Sequence, residues 1–97
     1  MDITPAIYLD ENGRCEDLYP ANGTDFKLKE VQDRVKGFVE VVVLEEGKSI
    51  MLVNDDYLAQ FPKINIEATI VAQAYSAIPP GEYIKGPVII CADDMFR

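Results

Sequence analysis

A chain of 97 residues with 48% hydrophobic content is long enough for one folded domain and too short for two separate cores. Its formal net charge of −8 excludes the clustered Lys and Arg that phosphate backbones and anionic membrane surfaces call for, so neither nucleic acid nor membrane is an expected partner. The charge is also uneven. Residues 1–25 hold six acidic and one basic residue (−5), residues 26–53 hold five of each (0), and residues 54–97 hold six and three (−3).

The first apolar stretch, Ile3 with Ala6-Ile7-Tyr8-Leu9, runs into Asp10-Glu11-Asn12-Gly13. Asn-Gly tolerates positive φ at both central positions of a tight turn, which predicts a hairpin returning over Arg14 to Tyr19. Pro5 favours an edge strand or an irregular start. The segment 1–25 therefore reads as a peripheral N-terminal hairpin, 26–93 as the core and 94–97 as a tail. Pro20-Ala21-Asn22-Gly23 punctuates the chain before the core begins.

A helix is predicted from Phe26 to Lys36, with Thr24 or Asp25 as its N-cap. Leu28, Val31 and Val35 make one apolar stripe along it, and Gly37 fits the left-handed position that ends a helix. Phe38-Val39-Glu40-Val41-Val42-Val43-Leu44 is dense in β-branched residues and reads as a strand. Glu45-Glu46-Gly47-Lys48 turns it back into Ser49 to Val53. Both runs are apolar at successive positions, which predicts a central place in the sheet.

Asn54-Asp55-Asp56 leaves that strand, and Tyr57 to Phe61 has room for a single helical turn before Pro62. Asn65 is a good N-cap for a second helix over Ile66 to Tyr75, with Ile66, Ile70, Val71 and Ala74 turned to the sheet. Tyr83-Ile84 and Val88 to Cys91 read as a last strand interrupted by Gly86-Pro87, where a bulge or an edge is expected. Asp93 to Arg97 is a short tail. The fold class is α+β: a small mixed or antiparallel sheet of four to five strands with two helices, in the order β-β-α-β-β-α-β.

The chain has no His, which removes Ser-His-Asp and Cys-His nucleophile arrangements and the usual neutral-pH proton shuttle. No phosphate-binding loop, dinucleotide fingerprint or EF-hand spacing is present, so no cofactor is expected and the reading leans away from an enzyme. Cys15 and Cys91 lack C-x-x-C spacing and a His partner, so they make a poor metal site. With no export signal in view, reduced thiols and a cytoplasmic setting are the expectation. Two aspartate pairs, Asp55-Asp56 and Asp93-Asp94, offer oxygen ligands for a divalent cation if they meet, although turn and cap roles account for them more simply.

Glu40 is the most suggestive single residue. Strand alternation puts it on the face of Phe38, Val42 and Leu44, where a covered sheet would force it into a pocket and an open one would leave it solvated or ion-paired with Arg34, Lys36 or Lys85. The five tyrosines suit an interface or the edge of a core equally well. Small size leaves room for a homodimer that buries more apolar area.

The pattern Phe26-x-Leu28-x-x-Val31-Gln32-x-x-Val35-x-Gly37-x-Val39-Glu40 resembles an uncharacterised family from bacteriophages and bacterial mobile elements, domain of unknown function number three-eight-four-six. Asn54-Asp55, Pro62-x-x-Asn65-x-x-Ala68-Thr69 and Ile84-x-Gly86-x-Val88-Ile89 with Asp93 extend the likeness over most of the chain. The family pattern carries Glu where this chain has Asp55, and the N-terminal segment departs from it. The resemblance implies a mobile-element setting and no assigned activity, and its polar positions here are Gln32, Glu40, Asn54 and Asn65. Two functions follow as expectations: an accessory protein acting by binding another protein, or a small-molecule-binding or weakly catalytic domain whose pocket gathers Glu40, Gln32 and Asn54.

Overall fold

The hairpin signal at Asn12-Gly13 produces strands β1 (Ala6–Leu9) and β2 (Cys15–Leu18), with Gly13 at a φ of 85° in the turn. This is a computed structural model that describes residues 5–96; Ile3 of the expected first strand and Arg97 of the tail lie outside them. Helix α1 (Leu28–Val35) leads into β3 (Val39–Glu45) and β4 (Ser49–Asn54). The single turn α2 (Tyr57–Gln60), helix α3 (Ile66–Ala74) and β5 (Val88–Ala92) complete the chain, followed by a 3-10 turn over Asp93–Met95. The five strands form one antiparallel sheet in the order β2-β1-β5-β4-β3. The architecture is α+β, with α1 on one face of the sheet and α3 on the other.

Two cores follow from that sandwich. On the α1 face, Phe26, Val31 and Val35 pack with Ala6, Tyr8, Ile50, Leu52, Ile89, Cys91 and Met95. On the α3 face, Ala68 and Ala72 meet Leu9, Leu44, Met51, Val53, Ile84 and Val88. Burying both faces explains why β4 is apolar at consecutive positions, since alternation is lost when neither face meets water.

The placement of strands corrects several expectations. β3 is an edge strand, not a central one, and β5 is the central strand in place of the bulged or edge strand predicted at Gly86-Pro87. Pro87 stops one position short of β5, so the ladder never needs its missing N–H. The first hairpin is not peripheral: β1 pairs with β5, and Ala6, Tyr8 and Leu9 are buried. Pro5 precedes this interior strand without disturbing it.

The helices also differ in detail. α1 starts at Leu28 because Glu30 caps it from inside, accepting from the Lys27 N–H at 2.9 Å and from the Ala21 N–H at 2.9 Å. Thr24 and Asp25 donate their N–H groups to the Asn22 side chain instead. Leu28 is exposed, and its expected place in the core is taken by Phe26, which lies just before the helix. Lys36, not Gly37, takes the left-handed conformation (φ 66°) that ends α1. In α3 the inward residues are Ala68 and Ala72, while Ile66, Ile70 and Ala74 face out; small side chains let the helix lie close on the sheet. The expected tail is anchored, with Met95 buried and its carbonyl accepting from the Phe26 N–H at 2.7 Å.

Candidate functional site

The two asparagines among the predicted site residues are fully buried and fully engaged. Asn54, the last residue of β4, donates from Nδ2 to the carbonyls of Val35 (3.1 Å) and Lys36 (3.2 Å) and to Gln60 Oε1 (3.2 Å). Its Oδ1 accepts from the Asp56 N–H at 2.8 Å. One amide therefore ties the C-terminus of α1 to β4 and α2, satisfying helix-end carbonyls that would otherwise be orphaned. Gly37 belongs to the same joint, because a Cβ there would stand 2.6 Å from Asn54 Nδ2.

Asn65 caps α3 by accepting from the Ala68 N–H at 3.0 Å. Its Nδ2 reaches across to the carbonyls of Leu9 (3.1 Å) and Gly86 (2.8 Å), joining the end of β1 to the approach to β5. Thr69 adds to this joint, donating its hydroxyl to the Asn65 carbonyl and accepting from the Ile84 N–H. These polar atoms hold the fold together and are already committed to protein partners.

The other two predicted residues are accessible and lie in different places. Gln32 lines a shallow depression with Lys29, Asp33, Gly37, Phe38 and Gln60. Glu40 is exposed on β3 and borders a separate depression with Asp55, Asp56, Tyr57 and Leu58. Burial, then the charges of Glu40 and Glu82, push the Tyr57 phenol upward. Arg34, one of the candidate partners for Glu40, instead binds Glu16 at 2.8 Å and lies 5.3 Å from the Tyr8 ring centre. The four residues thus do not converge on one pocket.

The aspartate pairs also stay apart. Asp55-Asp56 follows the end of β4, whereas Asp93 donates its N–H to the Lys48 carbonyl beside the start of β4, so the length of that strand separates them. Among the described residues, no group of three or more His, Cys, Asp or Glu is placed to hold a metal ion. Cys91 is buried, and desolvation, followed by the charges of Asp93 and Asp94, pushes its thiol up to about 12; Cys15 is exposed. A protonated thiol is a poor nucleophile.

The most open feature is the outer edge of β3. The Asp55 N–H donates to the Phe38 carbonyl at 2.9 Å, which fixes the phase of the ladder as far as its register shift between Val43 and Glu45: Phe38, Glu40 and Val42 turn their backbone groups to β4. Val39, Val41 and Val43 therefore turn theirs outward, where the sheet has no further strand. Val41 and Val43 are also 45% and 46% exposed, and Phe38 is 73% exposed at the head of the strand. α1 reaches only as far as Val39, leaving the rest of that face of β3 uncovered.

The opposite edge is built differently. β2 has four residues and carries Glu16 and Asp17, with Glu16 held between Arg14 and Arg34. Short, charged strands are the common defence against unwanted pairing. β3 is longer, with seven residues and neither Pro nor Lys, but it carries Glu40 and Glu45 and its register with β4 shifts between Val43 and Glu45. Its edge position was missed because the valine run looked central, yet Glu40 inside the run was a usable signal: a strand covered on both faces seldom holds an unpaired carboxylate.

No family model, curated protein or solved structure matches the chain. No helix among the described residues is long and apolar enough to cross a membrane.

Proposed function

We propose that this domain works by binding protein, and that the free edge of β3 is the surface it offers. The observation that carries this reading is the contrast between the two ends of the sheet. One edge is four residues long and ion-paired; the other is longer and, over its regular part Val39–Val43, presents outward backbone donors and acceptors beside the exposed Val41 and Val43 as well as Glu40. Such an edge accepts an extended strand, with main-chain hydrogen bonds supplying affinity and alternate side chains supplying selectivity. The setting that fits the resemblance is an accessory protein of a bacterial or phage mobile element. Catalysis is the weaker reading, because the thiol of Cys91 is held protonated in the core and the predicted polar residues do not meet.

A selection from a random library of extended peptides tests this reading. Sequences with alternating β-branched residues are expected to enrich on the native protein and to lose binding to a Val41→Lys, Val43→Lys double variant. Equal enrichment on both proteins, or none on either, refutes it.

A further inference from the structure

We propose that the strand received by the β3 edge is a cationic one: an extended protein segment that sets a Lys or Arg against Glu40 and apolar residues against Val41 and Val43. This rests on the reading of β3 as the binding edge and names the chemistry of its occupant.

The two faces of β3 differ along its regular part, Val39–Val43. Val39 packs on the α1 side and Val42 on the α3 side, so alternation sends Val41 and Val43 to the first face and Glu40 to the second. An added strand alternates in the same phase, because directly opposed residues share a face. Its residues opposite Val41 and Val43 therefore meet exposed apolar surface, and its residue opposite Glu40 meets an exposed carboxylate. The matching pattern is a basic residue with apolar residues at the first and third positions to one side of it. That pattern holds whichever way the segment runs. The register shift between Val43 and Glu45 ends the regular edge and confines the contact to Val39–Val43.

Charge selects the basic residue. Glu40 shares a depression with Asp55, Asp56, Tyr57 and Leu58, and no described Lys or Arg lines it. The other acidic edge residues have cations of their own. Glu16 is held by Arg14 and Arg34, and Glu45 lies 3.4 Å from Lys48. Among the described residues, none forms an ion pair with Glu40, Asp55 or Asp56. A Lys or Arg opposite Glu40 would lay its aliphatic stem along Tyr57 and the exposed Leu58 and present its charged head to the carboxylates. Exposed ion pairs are worth little singly, so these carboxylates discriminate among strands while the main chain and the valines supply the adhesion.

Fluorescence anisotropy on the full chain tests the proposal, using short labelled peptides that alternate Val with Ser and carry Lys, Gln or Glu in place of the central Ser. The Lys peptide is expected to bind about five- to tenfold more tightly than the Gln peptide and the Glu peptide to bind least, with the Lys advantage shrinking as salt is added. Glu40→Gln, checked for folding by far-UV dichroism, is expected to cut that advantage to about twofold and to leave the Gln peptide's affinity unchanged. Asp56→Asn, in the same depression, is expected to lower the advantage as well. Equal affinity for the three peptides, or a Lys advantage that survives both substitutions in full, overturns the proposal. If equal binding is abolished by Val41→Lys with Val43→Lys, the edge remains the binding surface and only the charge of its occupant is wrong. If equal binding is untouched by that double substitution, or no peptide binds at millimolar concentration, both readings fall.

Discussion

Replacing Asn65 separates a helix cap from a structural clamp. Asn65→Ala removes the acceptor for the Ala68 N–H, a loss of about 1 kcal/mol for an ordinary N-cap. It also strips the donor from two buried carbonyls, those of Leu9 and Gly86, at about 1–2 kcal/mol each when no water replaces it. The expected total is about 3–5 kcal/mol, a large share of the ~5–15 kcal/mol that holds a domain of this size. Asn65→Asp is the sharper test. It keeps the cap acceptor but turns a carboxylate oxygen toward both carbonyls, so burial and those dipoles raise its folded pKa. For an acid with a raised folded pKa, the native state holds the extra proton, so stability falls as pH rises from about 4 through the raised value. Urea unfolding followed by dichroism at several pH values measures both variants. If Asn65→Asp matches the native protein at neutral pH while Asn65→Ala loses only about 1 kcal/mol, the clamp to β1 and β5 contributes nothing and Asn65 is merely a cap.

Gly37→Ala is expected to lower stability by about 1–3 kcal/mol, because its methyl group would displace the Asn54 amide from the end of α1; an unchanged thermal midpoint would show that the joint has slack. A thiol reagent should modify Cys15 in the native protein and Cys91 only as it unfolds; equal rates would contradict the burial of Cys91. The hydrogen bond from Arg34, ahead of that from Arg14, lowers the Glu16 carboxyl below its ordinary range. Its contribution is therefore present above the unfolded carboxyl pKa and is lost as pH falls through the lower folded value. Glu16→Gln should then be less stable than the native protein at neutral pH and converge with it as the pH falls below the lowered folded value; a gap that persists in strong acid would assign the effect to packing.

Local signals in this sequence were legible where one short-range interaction decides the outcome. Asn12-Gly13 turns, Gly47 turns at a φ of 72°, and Asn65 caps. Errors arose where tertiary contacts outweighed a local rule. Gly37 looked like the left-handed stop of α1, but its lack of a side chain makes room for Asn54, and Lys36 takes the unfavourable φ next door. Ile66, Ile70, Val71 and Ala74 made a persuasive apolar stripe, yet of these only Val71 packs on the core, and the sheet accepted Ala68 and Ala72, because a close helix needs small residues beneath it. Among the site residues, polar identity was visible and engagement was not: nothing near Asn54 in sequence announces that its partners include Val35 and Lys36.

The valine run carries the same lesson in reverse, and it bears on function. Consecutive apolar residues mean two covered faces in β4, which lies between β3 and β5. In β3 the same pattern means something else, because Val41 and Val43 are covered on neither the α1 face nor the outer edge. Propensity alone explains a strand there, since Val favours extended backbone, but Thr would serve propensity almost as well and would keep water in contact with a polar group. Two exposed valines whose own backbone groups also point outward place apolar surface and unpaired hydrogen-bonding capacity at the same residues. β2 shows that this fold can close an edge with charge and brevity. The open edge is therefore a property of β3 rather than of the architecture, and a partner strand would satisfy both of its deficits at once.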